Sequence, residues 1–110
     1  MSTAGDFDVR SETMPGGAHV VHVSGELDLA TAPVLEEALG GASHEQLVID
    51  LSGCTFLDSA GIRALVAAAR DRAGTSRLRI VTADPGIVRL LEITGVDTII
   101  HVHPTIDAAL

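Results

Sequence analysis

The chain has 110 residues, 46% of them hydrophobic and 2% aromatic, with seven Lys plus Arg against fifteen Asp plus Glu for a formal charge of −8. That length holds one aliphatic-cored domain rather than two, and the apolar fraction is too high for a disordered segment. The negative charge argues against a nucleic-acid partner and against anionic lipid headgroups, while it favours encounter with a basic protein surface.

Met1 to Asp6 is small and polar and reads as a flexible tail. The first strand signal runs from Phe7 to Met14, with Phe7, Val9 and Ser11 on one face. Pro15-Gly16-Gly17 makes a turn, and Ala18 to Ser24, built on Val20, Val21 and Val23, returns as a second strand to close an antiparallel hairpin. Gly25-Glu26-Leu27-Asp28 follows as a loop. Thr31-Ala32-Pro33 then starts a helix, a capping hydroxyl followed by Pro in the first turn. Val34, Leu35, Ala38 and Leu39 supply its apolar face, and Gly40-Gly41 ends it.

Gln46 to Leu51 is a near-continuous apolar run, as expected of a central strand covered on both sides. A loop from Ser52 to Leu57 leads to a second helix that begins at Asp58 or Ser59. Its expected inner stripe is Ile62, Leu65, Val66 and Ala69, with Arg63 and Arg70 on the other side and Gly74 as its stop. Arg77 to Thr82 is the next strand, and Asp84-Pro85 opens a third helix with Ile87, Leu90 and Leu91 inward and Gly95 as terminator. Thr98 to Val102 is a last short strand, and Pro104 to Leu110 carries a marginal helix start.

This order predicts an α/β fold, a mostly parallel sheet of about five strands with an N-terminal hairpin and covering helices joined by right-handed crossovers. No repeat or linker divides it, so residues 1–110 are expected to form a single domain. Cys54 is the sole cysteine, the N-terminus lacks the basic start and apolar run of a signal peptide, and no stretch approaches a membrane span. A cytoplasmic location without membrane contact is the expectation.

Open α/β sheets gather the loops after their strands on one edge and place their sites there. Two segments belong to that edge: Gly25-Glu26-Leu27-Asp28 and Thr55-Phe56-Leu57-Asp58-Ser59-Ala60-Gly61. Together with Leu47-Val48-Ile49-Asp50-Leu51 and Leu90-Leu91-Glu92-Ile93-Thr94-Gly95, they resemble in order and spacing the STAS domain. That family is named for sulphate transporters and anti-sigma factor antagonists, and the chain looks most like its single-domain anti-sigma factor antagonists. The resemblance spans nearly the whole chain.

The resemblance implies that Ser59 is phosphorylated by the partner, an anti-sigma factor that is itself a serine/threonine kinase. It implies that the unphosphorylated chain binds that partner and frees a sigma factor, and that a serine phosphatase resets Ser59. Many members carry a second serine where Ala60 stands here, which leaves Thr55 as the other acceptor. Glu26 and Asp28 are expected beside the serine on the partner-binding face, with Asp58, Ala60 and Gly61. On this view Asp28→Lys weakens partner binding at little cost in melting temperature. The alternative is a non-phosphorylated STAS subunit of a larger signalling or lipid-transport assembly.

The residues themselves are compatible with this role. A helix N-terminus offers free N–H groups to a phosphate, and small Ala60 and Gly61 leave room for a nucleotide-binding cleft to close on the hydroxyl. Asp58 and Ser59 also suit plain helix capping, and Glu26 and Asp28 a solvated turn. Other chemistry lacks support. His101 and His103 alternate without a third metal ligand, and Cys54 has no nearby cation and reads as packing. Gly16-Gly17 and Gly40-Gly41 lack the length and Lys of a phosphate loop, so no cofactor is expected. Ser59 paired with one of the five histidines lacks a Gly-x-Ser-x-Gly elbow, so no enzyme is expected either.

Overall fold

Gly16 and Gly17, with φ of +97° and +98°, turn the chain between the first two strands, and Met14 N–H donates to the Ala18 carbonyl at 2.7 Å to close the turn. The hairpin so formed is β1 (Asp8–Thr13) against β2 (His19–Leu27), antiparallel, with Val9 opposite Val23 and Glu12 opposite Val20. The computed structural model describes residues 7–40, 46–71 and 77–110. The expected tail Met1 to Asp6 and the expected helix stops at Gly41 and Gly74 lie outside those residues.

After the hairpin the elements alternate: α1 (Ala32–Gly40), β3 (Gln46–Leu57), α2 (Ser59–Asp71), β4 (Arg77–Val81), α3 (Pro85–Ile93), β5 (His101–His103) and a terminal α4 (Ile106–Ala109). The sheet runs β1-β2-β3-β4-β5, with β2 to β5 parallel. Parallel neighbours taken in sequence order, each joined by a crossover of the same hand, put their helices on one face. Val21, Val23, Leu47, Ile49, Leu51 and Ile80 accordingly meet Leu35 and Leu39 of α1, Leu65 of α2 and Ile87 and Leu91 of α3. The intervening residues Val20, Val48 and Val81 point to the opposite face, where Met14, Ile106 and Ala109 cover them. Each such aliphatic side chain contributes roughly 1.5–3 kcal/mol on burial.

Four expectations are corrected. β2 and β3 do not stop at Ser24 and Leu51. Their parallel pairing continues through Ser24–Gly53, Gly25–Cys54, Glu26–Phe56 and Leu27–Leu57, across two register shifts. Val34 is 48% exposed, because Ala32 rather than Val34 joins Leu35 and Leu39 beneath α1. On α2 the buried stripe is Ala60, Gly61, Ala64, Leu65 and Ala68, while Ile62, Val66 and Ala69 are only partly covered. The last strand begins at His101, since Thr98, Ile99 and Ile100 N–H groups bond back to Gly95 and Val96 and hold that stretch in a 3-10 turn.

α3 and α4 start as their sequences predict. The Asp84 carboxylate accepts from Gly86 and Ile87 N–H with Pro85 in the first turn, and the Thr105 hydroxyl accepts from Ala108 N–H. Among the described residues no helix is long and apolar enough to cross a membrane.

Candidate functional site

The parallel extension of β2 and β3 delivers Leu27 and Leu57 side by side at the carboxyl edge of the sheet, both buried. Asp58 N–H donates to the Leu27 carbonyl at 3.3 Å, which ties the start of α2 to the end of β2. The Asp58 carboxylate accepts from Ala60 N–H at 2.9 Å and from Gly61 N–H at 3.1 Å, and its carbonyl accepts from Ile62 N–H at 2.9 Å. Asp58 is thus the N-cap, and Ser59 is the first residue of the helix. Its side chain is exposed, and its hydroxyl hydrogen-bonds to none of the described residues.

Ala60 and Gly61 do not open space around that hydroxyl; both turn inward. A Cβ on Gly61 would lie 2.5 Å from Leu57 Cδ1, 2.9 Å from the Leu27 carbonyl oxygen and 3.0 Å from Leu27 Cγ. Glycine at this position lets α2 sit directly on the strand ends, which fixes where Ser59 emerges.

The neighbouring turn is built from Asp28 and Thr31. The Asp28 carboxylate accepts from Ala30 N–H at 3.0 Å and Thr31 N–H at 3.1 Å, while the Thr31 hydroxyl accepts from Asp28 N–H at 2.9 Å and donates to the Glu26 carbonyl at 2.6 Å. Thr31 was expected to cap α1, but its hydroxyl faces back into the turn, and Asp28 bonds the amides ahead of the helix. Asp28 is half-buried with its carboxylate engaged, so the expectation that it could become Lys at little structural cost does not hold. Glu26 is exposed, in β2 and not in a loop. Thr55, the other expected acceptor, is exposed within β3.

Beside the serine, α1 and α2 bound an open groove lined by Leu29, Ala32, Ile62, Arg63 and Val66 among others. Leu29 is 75% exposed, and Ile62 and Val66 reach the groove because the small residues of α2 occupy the buried stripe instead. Sequence reading missed this groove; the signal was the run of Ala at 60, 64 and 68, which at helical spacing marks a close approach.

His101 and His103 lie on β5, and Cys54 lies in β3. The His101 and His103 rings stack with centroids 6.4 Å apart, and among the described residues no three His, Cys, Asp or Glu side chains group as a metal site. Cys54 is buried, with its Sγ 3.1 Å from the Phe56 carbonyl oxygen. Burial pushes its thiol up, against the pull of hydrogen bonds with the Phe56 and Leu27 backbone.

Comparison with known proteins covers most of the chain. The family model described as Mlab, STAS domain matches residues 11–102. The anti-sigma-F factor antagonist RsfB of Mycobacterium tuberculosis is 33% identical over 97 residues, which cover 86% of this chain and 80% of that protein. The anti-sigma-B factor antagonist of Listeria monocytogenes is 35% identical over 86 residues, 74% of this chain and 75% of that protein. The crystal structure of an anti-sigma factor antagonist from Mycobacterium paratuberculosis superposes with a TM-score of 0.90 at 36% identity, covering 99% of this chain and 95% of that one. By the extent of the family match, the identity to these relatives and the shared five-stranded architecture, the chain belongs to the STAS domain family.

Proposed function

We propose that this protein is a cytoplasmic anti-sigma factor antagonist switched by phosphorylation of Ser59. Unphosphorylated, it binds an anti-sigma factor serine kinase and frees a sigma factor; phosphorylated, it lets go; a serine phosphatase restores it. The function of the relatives named above supports the first part of this reading. The observation that carries the second is the Ser59 hydroxyl, exposed and without a hydrogen bond among the described residues, on a helix start that Asp58 holds in place.

The chemistry asks little of this chain. The Ser59 oxygen attacks the γ-phosphorus of the kinase's ATP, an O–P bond forms as the bond to the ADP oxygen breaks, and the hydroxyl proton passes to a base of the kinase. The substrate must present the oxygen without steric or hydrogen-bond obstruction. The product adds a charge of about −1.5 to −2 beside the carboxylate of Asp58. At the centre of a desolvated interface such a charge costs several kcal/mol, roughly, unless the partner pairs it.

Affinity capture from the native host with the parent chain, Ser59→Ala and Ser59→Asp as baits tests the proposal. Capture of an ATP-binding anti-sigma factor by the parent and Ser59→Ala, with loss in Ser59→Asp, is the expected result. Equal capture by all three removes the switch and leaves Ser59 as a helix residue. Recovery of transporter subunits in place of any kinase turns the assignment to the subunit of a larger assembly.

A further inference from the structure

The amides at the start of α2 are largely spoken for. Asp58 takes the N–H groups of Ala60 and Gly61, so of the first three amides of the helix only that of Ser59 itself is left for a phosphate. A phosphate there also stands next to the Asp58 carboxylate, which repels it. Compensation has to come from a cation elsewhere. Arg63 lies four residues on, which on a helix is one turn along the same face. Helical side chains lean toward the N-terminus, so Arg63 leans toward Ser59, and an anion four residues ahead of a cation is the favourable order for such a pair. Arg63 is exposed and makes no hydrogen bond or ion pair with any described residue, so its guanidinium is uncommitted. Arg70, the other cation on this groove, is about two turns further along the helix from the serine.

We propose that Arg63 is the counter-ion of a phosphate on Ser59, so that phosphorylation masks the serine hydroxyl and at the same time withdraws a cation from the groove between α1 and α2. This inference rests on the phosphorylation of Ser59 proposed above. It gives the switch two effects from one event. The new anion appears where the partner closes, and the positive charge bordering Leu29 and Ile62 is drawn onto it, which leaves Glu36 and Arg70 as the charged residues of an otherwise largely apolar groove. Release then follows from the cost of desolvating the new anion where the partner closes, and Arg63 offsets part of the charge that the phosphate and Asp58 together bring to the helix start.

The test is a phosphorus NMR titration of the full chain carrying phosphoserine at position 59, inserted during translation, in the parent, in Arg63→Gln and in Arg63→Lys. The second ionisation of a free phosphoserine lies near about pH 6. In the parent it is expected about half a pH unit lower than in Arg63→Gln, the shift that one charge pair at helical spacing gives near water's dielectric. Arg63→Lys is expected to retain most of that difference. Coincident titrations of the parent and Arg63→Gln overturn the pairing. Because the phosphate is installed without any kinase, that result strikes this inference alone. Failure of the anti-sigma kinase to label Ser59 would instead strike the switch and leave the titration standing.

Discussion

A methyl group on Gly61 meets Leu57 Cδ1 and the Leu27 carbonyl together, and the second of these cannot yield, because it is backbone and already accepts from Asp58 N–H. Gly61→Ala therefore lifts the start of α2 off the strand ends. The expected cost is about 1–3 kcal/mol, which in a domain of this size lowers the melting midpoint by roughly 4–12 °C in a calorimetric scan. An unchanged midpoint would show that the helix tolerates the shift. Ser59 hangs on the same contact, so the substitution is expected to reduce its labelling by the kinase even in the molecules that remain folded. The capping role of Asp58 and its helix start were legible in the sequence, as was Asp84-Pro85, since both depend on neighbours within three residues. That Gly61 faces Leu27, or that the Asp28 carboxylate is tied to Ala30 and Thr31, depends on how the turn and the strand ends meet in space. No local pattern encodes that meeting.

Among the elements, the carboxyl halves of β2 and β3 were the hardest to read. Gly25-Glu26 and Ser52-Gly53 break the apolar alternation, and the register shifts place buried Cys54 and Leu57 three residues apart. A period-two reading ends the strands at that break. The helix faces were misread for a different reason. Helical periodicity points the large aliphatics of α2 inward, whereas the contact with the sheet takes the small ones and leaves Ile62 and Val66 to the groove. A second feature joins three strands on the opposite face of the sheet. His22 of β2 holds Asp50 of β3 through Nδ1 and Glu12 of β1 through Nε2, each at 2.6 Å. Both ring nitrogens can donate only when the imidazole is charged. Burial opposes that charge, but the hydrogen bonds and negative charges of Glu12 and Asp50 outweigh it and raise His22 above its ordinary 6.5. For Asp50 too burial works in the opposite direction, and it is overcome by hydrogen bonds from Ser52 and His22, which hold it below its ordinary 3.8. A raised histidine stabilises the fold fully below its unfolded value and loses that contribution as pH climbs through its folded value. A lowered aspartate contributes above its unfolded value and loses it as pH falls through its folded one. Both contributions coincide between roughly pH 4 and 6.5. Denaturant midpoints are expected to be higher at pH 5.5 than at pH 8.5, and His22→Gln is expected to flatten that difference; an equal slope in the variant would detach it from the strut.

At the scale of the whole molecule, element order was enough to set the sheet. Four parallel strands taken in sequence order with crossovers of one hand leave one arrangement of helices, and the core residues on β2, β3 and β4 follow from simple alternation. The surface that this arrangement presents is acidic in sum, with a formal charge of −8, and Glu26, Asp28 and Asp58 sit on or beside the segments that frame Ser59. The charge acts before any contact forms. A field of one sign attracts a basic partner surface over about a Debye length, which shrinks from roughly 14 Å to 4 Å as monovalent salt rises from 50 to 500 mM. Association with the anti-sigma factor, followed by stopped-flow, is therefore expected to slow by about tenfold or more over that range, while dissociation changes far less, because the buried contacts are poorly screened. Ser59→Asp adds to the same field, so an association rate that is maintained or increased, with dissociation greatly accelerated, would place the switch in the bound interface. Slower association in Ser59→Asp than in the parent, with unchanged dissociation, would place it in the encounter, and salt-independent association would deny the acidic surface any part in recognition.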